Sequence, residues 1–290
     1  MFIDENGEKW FKVGLHIHTK RSDGRKTPEE VAAIYKAAGF DAVAFTDHWV
    51  YGAPQEIDGL PILGGIECNL GDKDTAVDVM HIIGVGLEKA PACTKESSTR
   101  QDVIDAIHAA GGLAVLAHPM WSLNAPEEAL ALKGLDGVEI YNTVSDVNQS
   151  FRPYSGYFTD LLANRGMLLP LYATDDAHYY KGEDEARSFV MVHAENAGRE
   201  ALLAALRAGD FYATQGPRVR LEVRDGEVYC YCSPADKVVI STNAAWHNNR
   251  VTRTPGTIFV HYTPKDCDRW ARAEIYRDGK VAWSNFVRIK

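Results

Sequence analysis

The side chains best suited to chemistry are histidines and carboxylates, and most of them stand where short apolar runs end. His16 and His18 are two residues apart in the run KVGLHIH, so both side chains leave the same face of a predicted strand. The other candidates that follow or close such runs are Asp23, His48, Glu67, His118, Asp176 and His178. His81 instead begins the run HIIGVG, so its position depends on the geometry of that strand. Imidazole combined with carboxylate favours zinc, manganese or iron over magnesium.

The elements that must position these residues alternate between strand and helix. From Phe11 to about His193, near-continuous apolar runs predict strands that are buried on both faces. The segments between them read as helices, and Thr27-Pro28-Glu29-Glu30 has the composition of a helix N-terminus with a capping box. This repeat predicts a (β/α) barrel, whose strand ends meet at one mouth. A doubly wound sheet is the alternative, but its dinucleotide-binding form lacks the G-x-G-x-x-G motif here.

The pattern changes after Gly216-Pro217. Apolar and polar residues then alternate with a period of two, and Asp-Gly pairs at 225–226 and 278–279 predict hairpin turns. We therefore expect a barrel domain over residues 1–216 and a small, sandwich-like all-β domain over residues 217–290.

Composition narrows the function classes. The 290 residues contain 31 Lys+Arg and 40 Asp+Glu, a net charge of −9. From Arg218 onward, 13 basic residues face 8 acidic ones, so the barrel segment is strongly acidic and a long nucleic-acid track is not expected. The five cysteines form no C-x-x-C pair, the start resembles no secretory signal, and no apolar run has the roughly 20 residues of a membrane helix. These features predict a cytoplasmic protein that is not bound to membranes.

Six short motifs in order resemble those of the polymerase-and-histidinol-phosphatase (PHP) superfamily. They are HIHTKRSDG, FTDH, GGIE, MHIIG, AHP and the D-A-H of Asp176 to His178. The resemblance implies a distorted seven-stranded (β/α) barrel with two or three divalent metal ions at its mouth. It also implies three ligand sets: His16, His18, Glu67 and Asp176; Glu67, His81 and His118, with Glu67 bridging; and Asp23, His48 and His178.

The function that the resemblance implies is that of a metal-dependent phosphoesterase on a small phosphorylated metabolite. Two cations sharing a hydroxide would direct it at phosphorus, with Glu67, His118 and Asp176 as catalytic residues. The sequence FYATQGP and the β-rich residues 217–290, which we call the tail, resemble the branch that includes carbaryl hydrolase. Hydrolysis of an ester, amide or carbamate is therefore an alternative. A binding protein with structural metals, whose tail recognises sugar or protein, and an exonuclease are further alternatives.

Basic residues near the mouth are candidates for binding the substrate's phosphate. Lys20, Arg21 and Arg25 share a loop with Asp23, and arginine binds phosphate through paired hydrogen bonds. Arg152 and Arg187 are weaker candidates. Asp47, beside His48, could orient a ligand through a hydrogen bond, and Asp175 could do the same or only turn the chain.

Overall fold

The computed structural model describes residues 1–4, 6–72, 74–75 and 77–289. The strands up to the predicted boundary are β1 (Phe2–Ile3), β2 (Lys9–Gly14), β3 (Ala42–Ala44), β4 (Gln55–Ile57), β5 (Leu60–Leu63), β6 (Gly65–Asp72), β7 (Val77–Val85), β8 (Leu113–Leu116), β9 (Gly137–Asn142), β10 (Leu171–Thr174), β11 (Phe189–His193) and β12 (Phe211–Thr214). The helices are α1 (Pro28–Ala37), α2 (Arg100–Ala109), α3 (Pro126–Leu130), α4 (Gly156–Asn164) and α5 (Arg199–Ala208), with a π-helical turn at Ser145–Gln149. The tail adds β13 (Val219–Arg224), β14 (Glu227–Ala235), β15 (Lys237–Thr242), β16 (Val251–Thr252), β17 (Thr257–Tyr262), β18 (Trp270–Arg277), β19 (Lys280–Trp283) and β20 (Val287–Arg288).

Seven strands close into a distorted barrel in the order β2, β3, β6, β7, β8, β9, β10. β2 pairs with β3, and β6 to β10 form a continuous five-stranded sheet. Two single bridges join these parts, Ile17 to Ala177 and His48 to Glu67. The barrel therefore closes beyond the ends of β2, β3 and β10, but Glu67 lies near the start of β6 and not at the end of a strand as its apolar run predicted. This architecture confirms the predicted α/β barrel class with its seven strands.

The barrel departs from the parallel arrangement at β7. This strand runs antiparallel to both β6 and β8, because it returns from β6 without a crossover helix. β11 was expected among the barrel runs, but it pairs antiparallel with β2 and β12 and extends the sheet outward.

The helix α1 begins where the sequence predicts. The Thr27 side chain accepts a hydrogen bond from the Glu30 N–H at 3.3 Å, and the Glu30 carboxylate accepts one from the Thr27 N–H at 2.8 Å. This capping box starts α1, which buries Val31 and Tyr35 against the sheet. Over the residues described, no helix is both long and apolar enough to span a bilayer.

The tail is antiparallel, as predicted. Asp225 and Gly226 (φ 53° and 78°) turn β13 into β14, and Asp278 and Gly279 (φ 49° and 74°) turn β18 into β19. Two successive residues with positive φ are typical of type I′ hairpin turns. A three-stranded sheet is formed by β13, β14 and β17. Its buried side chains belong to the same hydrophobic cluster as those of β15 and β18.

The second tail sheet is continuous with that of the barrel. β19 pairs with β12, which gives the strand order β16-β15-β18-β19-β12-β11-β2. The predicted domain boundary at residue 216 lies in the turn between β12 and β13. The division of the chain into two domains stays a prediction.

Polar contacts also cross from the tail to the barrel. The buried Arg272 on β18 donates from Nε and Nη2 to the Asp160 carboxylate of α4 at 2.6 and 3.0 Å. It also donates to Glu274, which accepts from the phenol of Tyr154. We call Arg272, Asp160, Glu274 and Tyr154 the junction network.

Candidate metal centre

The first ligand set gathers where β2 meets the extension of β10. His16 and His18 are fully buried, and backbone hydrogen bonds from Asp176 to His16 (2.9 Å) and from His18 to Ala177 (3.1 Å) fix their spacing. The Nε2 atoms of both imidazoles lie 3.1 Å from Asp176 Oδ1 and 3.0–3.3 Å from Glu67 Oε2. Two nitrogen or oxygen ligands about 2.1 Å from one tetrahedral ion are about 3.4 Å apart, so these separations suit a shared cation.

The second set uses the other oxygen of Glu67. His81 Nδ1 lies 2.9 Å and His118 Nε2 lies 3.4 Å from Glu67 Oε1. His81 lies in the middle of β7, where it pairs with Asn69 on β6, and its carbonyl accepts a hydrogen bond from the Ala117 N–H just beyond β8. The antiparallel course of β7 therefore brings His81 to the mouth. Glu67 thus presents one oxygen to each of two donor sets.

The third set surrounds Asp23. Its Oδ1 lies 3.4 Å from His178 Nε2, and its Oδ2 lies 3.7 Å from His48 Nε2. His18 Nδ1 is also 3.4 Å from Asp23 Oδ1, so His18 joins this set geometrically. Since a neutral imidazole has one lone pair, His18 can ligate through one nitrogen and donate an N–H from the other.

The structure brings all nine predicted ligand residues together. We call them the mouth cluster: His16, His18, Asp23, His48, Glu67, His81, His118, Asp176 and His178. Five of their polar atoms are buried without a hydrogen-bond partner: His16 Nε2, His18 Nε2, His48 Nδ1, Glu67 Oε2 and Asp176 Oδ1. Such groups are costly to bury unless something else satisfies them. Divalent ions would do so, and the donor set therefore fits metal binding.

Burial and the surrounding charges act on the pKa values of this cluster. Burial would raise the pKa of Glu67, but the imidazoles of His48 and His16 hold it well below its ordinary value. Burial would lower the pKa of His16, yet the carboxylates of Asp176 and Glu139 raise it well above its usual range. At His48 burial prevails and lowers the pKa to about 4. The carboxylates are therefore kept ionised and ready to ligate.

A second layer of polar contacts orients the imidazoles. The fully buried Glu139 on β9 accepts hydrogen bonds from His16 Nδ1 at 2.7 Å, the Thr174 hydroxyl at 2.6 Å and the His118 backbone N–H at 2.8 Å. No motif in the sequence marked Glu139 as part of the site. The available signal was a single carboxylate inside the otherwise apolar run GVEIYN.

Asp47 and Asp175 both hold loops beside the mouth cluster. Asp47 accepts hydrogen bonds from the Thr19 backbone N–H at 2.7 Å and the Ser22 hydroxyl at 2.8 Å, which fixes the loop that carries Asp23. Asp175 is fully buried, which raises its pKa to about 6. It accepts from the Tyr35 hydroxyl at 2.7 Å and from the backbone N–H of Ser188 at 2.8 Å.

Two residues of the cluster adopt backbone conformations that non-glycine residues rarely use. His118 has φ 24° and Asp176 has φ 53°. Positive φ costs free energy in such residues and occurs often at functional sites. At His118 the turn is fixed by Ser122, whose hydroxyl lies 3.1 Å from His118 Nδ1.

The predicted phosphate-binding arginines are exposed. The Arg25 guanidinium lies 4.9 Å from the centre of the Tyr179 ring, and its backbone N–H donates to the carbonyl of His178, so Arg25 borders the third set. Arg187 donates to the carbonyl of Gly182. For Arg21, Arg25, Arg152 and Arg187, substrate binding stays a prediction.

An aromatic residue that the sequence analysis did not single out also borders the cluster. The ring centre of Trp121 lies 4.9 Å from that of His118 and 5.4 Å from that of His81.

Comparison with known proteins places the chain in a family. The family model for the PHP domain matches residues 14–164, more than half of the chain. The chain therefore belongs to the PHP domain family. An uncharacterized protein of Methanocaldococcus jannaschii is 30% identical over 154 residues, which cover 45% of this chain and 81% of the relative.

Two further relatives match over shorter stretches. The phosphoribosyl 1,2-cyclic phosphate 1,2-diphosphodiesterase of Eggerthella lenta is 36% identical over 85 residues, which cover 27% of this chain. The 3′,5′-nucleoside bisphosphate phosphatase of Chromobacterium violaceum is 32% identical over 84 residues, also 27% of this chain. The matches span only 32% and 28% of those two enzymes.

A solved structure shares the overall fold. It is a two-domain protein from Bacteroides vulgatus that contains a predicted PHP-like metal-dependent phosphoesterase. The TM-score is 0.55 at 15% identity, and the match covers 99% of this chain and 98% of the other. The likeness includes the tail as well as the barrel.

Proposed function

We propose that this protein is a metal-dependent phosphoesterase that hydrolyses a small phosphorylated metabolite. The observation that carries the proposal is the placement of Glu67, whose two oxygens face two donor sets in a region of buried, unpartnered donor atoms. Membership of the PHP domain family and relatives named as a diphosphodiesterase and a phosphatase support the reaction class.

The cofactors would be two or three divalent ions of manganese, iron or zinc. His16, His18, Glu67 and Asp176 would hold the first, Glu67 with His81 and His118 the second, and Asp23 with His48 and His178 the third. Bound there, such ions supply an activated water and positive charge for the phosphoryl oxygens.

The chain itself supplies the orientation of these ligands. Because His16 Nδ1 donates a hydrogen bond to Glu139, a neutral, metal-ligating His16 would present the lone pair of Nε2 on the side of Asp176 and Glu67. His178 is fixed in the same way, since its Nδ1 donates to the carbonyl of Asp176 at 2.7 Å and leaves Nε2 facing Asp23.

The size and charge of the substrate follow from the surroundings. Lys20, Arg21 and Arg25 are exposed on the loop that carries Asp23, where their side chains would bind phosphate oxygens. The acidic barrel segment repels an extended polyanion, which favours a small ester over a long nucleic acid.

The proposal is tested by metal reconstitution. Metal-free protein is loaded separately with Mn²⁺, Fe²⁺ or Zn²⁺, its metal content is measured by plasma mass spectrometry, and turnover is compared on p-nitrophenyl phosphate and p-nitrophenyl acetate. We expect metal-dependent release of p-nitrophenol from the phosphate ester. Turnover of the acetate alone would assign the centre to carboxylic ester chemistry. A fully loaded protein that hydrolyses neither these probes nor a panel of phosphorylated metabolites would contradict the proposal.

A further inference from the structure

Trp121 stands at the edge of the mouth cluster, beside the second ligand set. Its indole ring is inclined at 76° to His118 and at 60° to His81, so neither imidazole lies parallel on it. The side chain is only partly buried. Part of the ring is therefore accessible to solvent beside His81 and His118.

The loop that carries Trp121 is held firmly against the barrel. It begins at His118 with positive φ, and the Ser122 N–H donates to the carbonyl of His118 at 3.1 Å. The Asn124 side chain donates to the carbonyl of Val79 on β7. A ring on a fixed loop loses little conformational entropy when a ligand packs against it.

The two flanks of the mouth differ in chemistry. The third ligand set lies beside the basic loop of Lys20, Arg21 and Arg25, whereas the second set lies beside the indole of Trp121. A phosphate ester has the same polarity, with a charged phosphoryl group at one end and an organic group at the other.

We propose that Trp121 is a binding platform for a planar organic group on the substrate, such as a nucleobase or an aryl ring. The inference rests on the proposed phosphoesterase function and narrows its substrate class. Stacking of a base on an aromatic side chain strengthens binding by about tenfold or more.

The test uses two phosphate monoesters that share a ribose 5-phosphate unit and differ in the base, adenosine 5′-monophosphate and ribose 5-phosphate. Affinities of both are measured by titration calorimetry on metal-loaded wild type, W121F and W121A, and metal content is determined for each protein. W246A is the control, because Trp246 is exposed in the tail. Turnover of both esters is measured separately.

We expect wild type to bind the nucleotide about tenfold more tightly than ribose 5-phosphate, W121A to lose this preference and W121F to keep part of it. W246A should match wild type. Equal affinities in wild type, or an unchanged preference in W121A, would overturn the inference. The inference would also be overturned if W121A lost affinity equally for both esters and lost bound metal, since Trp121 would then only support His81 and His118. Nucleotide preference without hydrolysis of any phosphate ester would instead count against the proposed function.

Discussion

The mouth cluster and the junction network both bury charged side chains, yet they are completed differently. In the junction network each buried polar atom has a protein partner, since Arg272 contacts two carboxylates and Glu274 also accepts from the Tyr276 hydroxyl. In the mouth cluster, nitrogen and oxygen atoms lie close together, but five of them have no hydrogen-bond partner. The junction network therefore satisfies its buried charges with protein groups alone, whereas the mouth cluster brings several partnerless ligand atoms within reach of one cation.

The pKa values of the junction network agree with this distinction. Burial would raise the pKa of Glu274, but Arg272 keeps it below its ordinary value. Burial would likewise lower the pKa of Arg272, and hydrogen bonding to Asp160 raises it well above its usual range. Arg272 stabilises both carboxylates of the network, so its removal should destabilise the fold and leave the chemistry unaffected.

The largest expected effect comes from Glu67→Gln in the mouth cluster. An amide cannot supply two anionic oxygens, so turnover of p-nitrophenyl phosphate should fall roughly a thousandfold and bound metal should decrease. The secondary structure, measured by circular dichroism, should be unchanged. Glu56→Gln, on the exposed strand β4, is the control. Wild-type turnover at saturating metal would refute a bridging role for Glu67.

Arg272→Met should have the opposite profile. Because it leaves Glu274 buried without its cation, the free energy of unfolding should fall by about 3–5 kcal/mol, measured by urea denaturation. Metal content and turnover of the folded protein should stay near wild type. The exposed Arg269→Met serves as the control. If the fully folded Arg272→Met variant lost bound metal, the distinction between the two clusters would be wrong.

His178→Ala tests the third ligand set. If Asp23, His48 and His178 hold an ion, the variant should lose about one equivalent of metal and retain those of the other two sets. Activity should fall about a hundredfold, because a cation near the phosphate would be missing. His108→Ala is the control for histidine removal, because His108 lies on α2, outside the mouth cluster, and its imidazole pairs with Asp136. Wild-type protein that never carries more than two equivalents would show that the third site does not exist.

Glu139→Gln should have the smallest effect of the four. Glu139 orients His16 without belonging to the mouth cluster, and loss of such a contact weakens metal binding about 10- to 100-fold. Competition with a chelator measures the affinity, and excess metal should restore most of the activity. Unchanged affinity would mean that His16 is held by packing alone.

The sequence predicted the barrel class and the residues of the mouth because both follow local patterns. Apolar runs that end at or just before His18, Glu67 and Asp176 indicated which side chains could meet once the strands closed into a barrel. The hairpins at Asp225 and Asp278 were equally local, since Asp-Gly favours the backbone angles that such turns require.

What the sequence could not show depends on contacts between distant segments. The antiparallel direction of β7, which brings His81 to the mouth, is set by its pairing with β6 and β8. Arg272 and Asp160 are 112 residues apart and belong to no motif. In the sequence, Glu139 is a single carboxylate in an otherwise apolar run, and only the fold places it beside His16.

The pairing of β19 with β12 also bears on how the chain folds during synthesis. Ribosomes deliver the polypeptide from its N-terminus, so β12 emerges long before Lys280–Trp283 is available to cover it. Until then β12 has an unpaired edge, and Tyr141 lacks the Trp283 ring that stacks on it at 5.3 Å. An exposed strand edge of this kind invites pairing with other nascent chains. The sheet that extends from β2 through β11 and β12 is therefore completed only when the tail has been synthesised, and aggregation competes with folding until then.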